Sequence, residues 1–217
     1  MKYIATNYTP LKPENSVHLL PIEPIANFAR NYLSQHLSPR LTYHRLSHTE
    51  DVVLQTHRLC LLYGFNQSTL EYTQLITAAW WHDAGYTAGY KNHEALSCML
   101  VNQFLPGFNV GQQDIETICN MIMATRIPQQ PQSFAEQIIC DADLDYLGRE
   151  DFDQQAQQLC TEWLNYGIIQ NTATFNDIQI PFLESHHYFT PDSLTHKAPA
   201  KQAKIEALKL AAHNKMQ

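Results

Sequence analysis

The sequence predicts an all-α fold, and two observations carry that expectation. Apolar residues recur at i, i+3 and i+4 in one segment after another, the spacing that lines one face of a helix. Two segments also open on a Ser-x-x-Glu pair, Ser47 with Glu50 and Ser133 with Glu136, in which the serine caps a helix start and the glutamate reaches back. The 217 residues suffice for one well-buried core, so one helical domain is expected over residues 21–217, preceded by an arm over residues 1–20.

The arm carries Pro10, Pro13 and Pro21 with little periodicity. From Pro24, the series Ile25, Phe28, Ala29, Tyr32 and Leu33 predicts a helix that stops before Pro39, because the residue ahead of a proline is pushed out of the α region. The Ser47 capping pair starts the next helix, which runs through Val52, Val53, Thr56, Leu59 and Cys60 to Gly64 and puts His48 in its first turn, with His44 on the approach. Residues 69–81 are rich in Leu, Ile, Ala and Trp and predict a buried helix ending at His82 and Asp83, after which Gly85 lets the chain turn away. Asn92 is the expected cap of a helix through Phe104, ended by Pro106 and Gly107. Ile115, Ile118, Cys119, Ile122 and Met123 define the following one, down to Arg126.

The Ser133 pair opens a helix toward Asp141, Asp143 and Asp145, three acids that cannot all share a face, because steps of two turn roughly 200°. Asp141 and Asp145 are expected to face solvent or to support a ligand from behind. A helix over 151–166 carries the stripe Leu159, Trp163 and Tyr166, and Gly167 ends it. The aromatic and histidine cluster over 182–190 sends His186 and His187 to different faces, one of them a candidate to reach a binding pocket. In the last helix, Lys201, Lys204, Lys209 and Lys215 read as a solvated face.

Composition narrows the function classes. Apolar residues at 44% and charged residues at 16% fit a globular protein. A net charge of −7, from 14 basic against 21 acidic residues, argues against binding long nucleic acid. The five cysteines stand singly inside apolar segments and read as free thiols of a reducing compartment. With no secretory signal pattern and no apolar run near roughly 18 residues, a cytoplasmic protein without a membrane partner is expected. Eleven histidines are the compositional hint of metal chemistry.

The chemistry centres on Trp80-Trp81-His82-Asp83-Ala84-Gly85-Tyr86, where neighbouring positions offer an imidazole nitrogen and a carboxylate oxygen, a set that suits a divalent cation of borderline hardness. Upstream stands Tyr43-His44-Arg45-Leu46-Ser47-His48-Thr49, and downstream Asn92-His93-Glu94 and Asp141-Ala142-Asp143-Leu144. One histidine, then His-Asp, then a distant aspartate, each on its own helical segment, resembles the HD-domain superfamily of metal-dependent phosphohydrolases. The resemblance covers roughly residues 40–150, leaving 151–217 as a C-terminal helical extension.

The resemblance implies a divalent metal (Mn, Mg, Fe, Co, Ni or Zn) on His48, His82, Asp83 and Asp143, with Asp143 selected from the three acids. It also implies His93 facing a phosphate or a second metal. Related two-metal enzymes often carry a histidine where this chain has Ala124 and Thr125, a departure that points to a single metal. Some nucleotidase-type relatives place a glutamate just after His-Asp, where this chain has Ala84-Gly85-Tyr86-Thr87. Proton transfer is therefore left to His93, Glu94 or His44, with Asp83 at the reacting centre, and His44, Lys91 and Arg126 are the candidate substrate contacts. The implied activity is hydrolysis of a small phosphorylated molecule, such as a nucleotide, by a metal-activated hydroxide. The alternatives are an iron-dependent oxygenase of the same superfamily, or a module that senses a nucleotide or metal without turnover.

Overall fold

The computed structural model describes residues 18–214, in which every regular element is helical. Ten α-helices follow in order: α1 Ile22–His36, α2 Leu46–Leu62, α3 Leu70–Trp81, α4 His93–Phe104, α5 Gln112–Ala124, α6 Phe134–Asp143, α7 Phe152–Asn165, α8 Thr172–Ser185, α9 Pro191–His196 and α10 Ala198–Asn214. Most of the expected arm lies outside the described residues. Its end is docked: Leu20 is buried, and its N–H donates to Thr73 Oγ1 at 3.3 Å.

The central element is α3. Every residue from Tyr72 to Trp81 is buried, because α1, α2, α5 and α6 cover it from different sides. A helix apolar on all faces belongs in the middle of a domain. Burial of side chains such as Leu75 and Ile76 contributes roughly 1.5–3 kcal/mol each. Thr69 starts the helix by accepting the Tyr72 N–H. Near the other end, the Trp81 ring meets Phe28 and Tyr32 of α1 and Phe104 of α4. A second apolar cluster, including Phe152, Cys160, Phe175, Leu183 and Ile205, holds α7, α8 and α10 together.

The two Ser-x-x-Glu pairs part company. Ser133 accepts the Glu136 N–H, and Glu136 reaches back to the Gln132 N–H at 2.6 Å, so α6 opens on a working cap. Ser47 does not cap α2, which begins one residue earlier at Leu46 with Arg45 at the cap position. Glu50 is drawn instead to Arg30 of α1, 3.0 Å away, and a tertiary ion pair has displaced the local motif.

Two other local expectations change. Asn92 precedes α4 in the left-handed region, φ 57°, but its side chain caps nothing. Gly85 keeps an ordinary φ, and its role is clearance: a Cβ there would lie 1.9 Å from the His93 carbonyl oxygen. The bare α-carbon lets the start of α4 close onto the chain that leaves α3.

The C-terminal extension is fastened through two acids expected to face solvent or to support a ligand from behind, Asp141 and Asp145. Asp141 is fully buried and accepts the Phe189 N–H at 2.9 Å, the Thr190 N–H at 2.8 Å and the Thr190 hydroxyl at 2.7 Å. Asp145 is buried as well, with Lys197 Nζ at 2.8 Å and Arg58 at 3.6 Å. Both are structural ties, because the α8–α9 connection and the start of α10 pack over them. The lysine face of α10 is likewise only partly solvated. Lys201 is buried and donates to the carbonyls of Leu183 and His186, whereas Lys204 and Lys209 pair with Asp153 and Glu184. Lys215 lies outside the described residues. The five cysteines are free.

Candidate metal centre and cavity

Three helices deliver one cluster. The first turn of α2 supplies His48, the end of α3 supplies His82 and Asp83, and Asp143 is the last residue of α6. His48 Nε2, His82 Nε2 and an Asp83 oxygen all lie within 4.8 Å of one another. Asp143 Oδ1 stands 3.3 Å from His48 Nε2 and 3.5 Å from His82 Nε2, on the open side of the same group.

Three atoms decide whether this set fits a cation. His48 Nε2, His82 Nε2 and Asp83 Oδ2 are buried, and none makes a well-aligned hydrogen bond although they approach one another at 3.2–3.3 Å. Leaving a buried polar atom without a partner costs about 1–3 kcal/mol, so three aimed at one point call for a common partner. The His82 tautomer suits that partner: Nδ1 lies 2.8 Å from the Ala79 carbonyl, which accepts its proton and leaves a lone pair on Nε2. Two imidazole nitrogens and two carboxylates match the donor set of a divalent metal.

The electrostatics agree. Burial pushes the Asp83 carboxyl up, but the imidazoles of His82, His48 and His93 outweigh it and hold the group well below the usual carboxylate range. Asp143 is balanced in the same way and falls to about 2. In return, His48 rises to about 9 against its own burial, through Asp143 and Asp83, and His82 is raised as well. The carboxylates demand positive charge, which two protons or one metal ion can supply. Metal binding releases those protons.

The cluster opens onto a cavity of about 660 Å³. His44, Asp83, Lys91, His93, Glu94 and Asp143 line one part of it, and residues of α7 and α8 line another, with tyrosines such as Tyr43, Tyr86, Tyr90 and Tyr146 also on the wall. His48 and His82 are not in the lining and sit behind the two aspartates. The backbone matches the crystal structure of a predicted HD superfamily hydrolase from an uncultured Thermotogales bacterium over 92% of this chain and 95% of that one, with a TM-score of 0.57 at 15% identity. It also matches a Lactobacillus plantarum protein solved by structural genomics over 88% and 98%, with a TM-score of 0.61 at 19% identity. The chain has the HD-domain fold. No protein-family model matches the sequence, and no curated protein does.

Within the HD fold, the turn after α3 is pinned from behind. The buried Ser97 hydroxyl of α4 donates to the His82 carbonyl at 2.7 Å and accepts the Gly85 N–H at 2.8 Å. This fixes α4 against the turn and brings His93 Nε2 to 3.3 Å from Asp83 Oδ1, opposite the oxygen that faces His48 and His82. Glu94 lies 3.5 Å from the same nitrogen. Burial lowers the His93 pKa, but the Asp83 carboxylate prevails and raises it, favouring the charged imidazolium.

One residue at the site was not among those singled out from the sequence. Glu162 of α7 is fully buried beside His44, although 118 positions separate them. One of its oxygens lies 2.5 Å from His44 Nδ1 and accepts the Tyr90 hydroxyl at 2.9 Å, and the other accepts the Tyr43 and His44 N–H groups. Burial raises this carboxyl, and the His44 contacts with the backbone donors win and lower it. His44 Nε2 is 3.2 Å from the Tyr86 hydroxyl, and the Tyr86 ring lies against both His44 and His93. An acid inside the apolar stripe Leu159, Trp163 and Tyr166 is the sequence signal that could have exposed Glu162.

Two expected contacts are not in the cavity. Arg126 is exposed and lines a separate shallow depression with Met123, Ile127 and Gln130. Thr125, the residue before it, faces the cavity, and one step past the end of α5 swings the next side chain away. Neither His186 nor His187 is in the cavity lining: His186 is buried against Lys201, and His187 is exposed.

Proposed function

We propose that this chain is a metal-dependent phosphohydrolase acting on a small phosphorylated molecule. The observation that carries this reading is the convergence of three partnerless buried ligand atoms, on His48, His82 and Asp83, behind a cavity large enough for a small molecule. The HD-domain fold supports it, since one structural neighbour is named a predicted hydrolase.

His48, His82, Asp83 and Asp143 would hold the metal. A divalent cation there supplies Lewis-acid polarisation of a phosphoryl oxygen and lowers the pKa of a water toward about 7. His93, whose Nε2 lies 3.3 Å from Asp83 Oδ1, is positioned to donate to phosphoryl oxygens as negative charge grows on them, and Lys91 on the lining adds a cation. His44 is held in one orientation by Glu162 and serves as the proton-transfer group, with Glu94 beside His93 as the other acid. Arg126 has no part in this reading, because it faces elsewhere.

The test is phosphate release. Purified protein is analysed for metal, stripped, reloaded with Mn²⁺, Mg²⁺, Co²⁺, Fe²⁺ or Zn²⁺, and assayed on phosphomonoesters and nucleotides. Metal-dependent release that vanishes in Asp83→Ala is the expected result. Oxygen consumption with iron and no phosphate released would overturn it in favour of an oxygenase, and tight binding without any product in favour of a sensing module.

A further inference from the structure

The cavity carries a statement about the substrate's other half. Its lining is apolar over most of its surface, and the wall built from α7 and α8 contains Leu159, Trp163, Phe175, Ile178 and Phe182. Among the described residues, Lys91 is the only lysine or arginine on the lining. Asp83, Glu94 and Asp143 supply negative charge at the metal end, with Glu162 behind His44. A di- or triphosphate entering here would meet, besides the one metal ion, a single lysine and two histidines, fewer cations than the clamp of metal, lysine and arginine that such groups use. A nucleobase would find few free polar groups, chiefly the Tyr43 hydroxyl, which has no hydrogen-bond partner among the described residues, and the Gln179 amide. The hydroxyls of Tyr86 and Tyr90 already face His44 and Glu162, and Thr125 donates to the Ile122 carbonyl. On the α7 and α8 wall, Gln179 is the one amide, nearly buried and without a hydrogen bond to any described residue.

Building on the phosphohydrolase reading, we propose that the substrate is a phosphomonoester whose alcohol part is a bulky apolar or aromatic group. The single phosphate lies at the metal end, and the apolar body fills the space between α7 and α8. The apolar surface continues to the outside, where Ile127, Ile168 and Ile178 are 40–50% exposed and lie on the same lining. A body longer than the enclosed volume can therefore extend along this apolar rim.

The experiment uses the full chain loaded with Mn²⁺ and compares phenyl phosphate, 1-naphthyl phosphate, adenosine 5′-monophosphate and ATP, measuring affinity by calorimetry and turnover by phosphate release. The second aromatic ring should tighten binding about tenfold over phenyl phosphate, with both nucleotides weaker than 1-naphthyl phosphate. Ile178→Asp, on the partly exposed rim, should weaken 1-naphthyl phosphate about tenfold while circular dichroism stays that of the parent. Equal affinity for the two aryl phosphates, or an unchanged affinity in Ile178→Asp, overturns the proposal. Faster turnover of either nucleotide overturns it as well and leaves the phosphohydrolase reading standing. The expected order of affinities with no phosphate released from any compound would do the opposite, sustaining this assignment of the cavity while the hydrolase reading falls.

Discussion

Two pairs of acids lie within one stretch of fold and do opposite things. Asp141 and Asp145 tie the C-terminal extension down, and their oxygens meet N–H groups, a hydroxyl, a lysine and an arginine. Asp83 and Asp143 meet imidazoles held close but not in hydrogen-bonding alignment, with Asp83 Oδ2 left partnerless. All four are buried or nearly so. What separates structure from chemistry here is whether the surroundings finish the job of desolvation. At Asp141 both oxygens have well-aligned donors and at Asp145 one oxygen has Lys197, whereas at the cavity Asp83 Oδ2 and the two imidazole nitrogens nearest it share one gap that a partner from outside the chain can fill. The histidines divide in the same way: His48 is lifted to about 9 by carboxylates, whereas His186 is pushed down to about 3 by burial and Lys201.

The sharpest way to break the contrast is to exchange the fates of the two pairs. Asp83→Ala removes one ligand oxygen, and metal affinity should fall by more than about 100-fold, with activity lost alongside it. Thermal stability of the metal-free protein should fall by less than in Asp141→Ala, because the imidazoles around Asp83 are close but not in hydrogen-bonding alignment with it. Asp141→Ala should behave in reverse. Two backbone N–H groups and a hydroxyl lose their acceptor, at about 3 kcal/mol, or a melting point lower by about 6–12 °C, while metal content per folded molecule is kept. Metal loss in Asp141→Ala, or a collapse of metal-free stability in Asp83→Ala, would show that the two sets are not separable.

A finer test lies between them. Glu162 is a fully bonded acid like Asp141, yet it touches His44 at the cavity. Glu162→Gln keeps the shape and removes the charge that orients the imidazole. Turnover should drop roughly 10–100-fold with metal content unchanged, the range seen when a group supporting a site residue is altered. A full loss of metal would instead place Glu162 with the ligands, and an unchanged rate would place it with the seam.

How much of this could be read from the sequence follows from the range of each interaction. α3 and its Thr69 cap, the Ser133 cap, and the adjacency of His82 to Asp83 are local, and periodicity and residue type disclose them. His48 and Asp143 came from resemblance to a family, since nothing local links either of them to Asp83. The Ser47 pattern misled because Arg30, on another helix, offered Glu50 a better partner. Glu162 and Lys201 were invisible or misread for a related reason. Each is a charged residue whose burial depends on partners in other elements: backbone N–H groups at Tyr43 and His44 in one case, carbonyls of Leu183 and His186 in the other. Arg126 erred in the opposite sense, because adjacency to a cavity residue says nothing about direction at a helix end.

The smallest expected effect concerns His186 and bears on the histidine half of the comparison. Lys201 Nζ lies 3.2 Å from its Nδ1, so that nitrogen accepts and the ring stays neutral, with Nε2 buried and unpaired. Burial first, and the Lys201 charge next, depress the folded pKa from 6.5 to about 3. The unfolded chain therefore takes up the proton first as pH falls. The stability tied to the neutral ring is fully present above about 6.5 and drains away between 6.5 and about 3. Lowering the pH to one unit below 6.5 should cost about 1.4 kcal/mol. In His186→Gln this increment should be missing, so denaturant midpoints of parent and variant should converge as the solution is made acidic. A gap between the two that stays constant from pH 7.5 to 5.5 would mean that His186 is as free to charge in the fold as outside it, and the opposition to His48 would fail. Because carboxylates lift His48, its contribution runs the other way, present at low pH and lost as pH rises through about 9. Scanning the metal-free protein from pH 5 to 10 should therefore show stability limited by the seam histidine on the acid side and by the cavity histidines on the basic side.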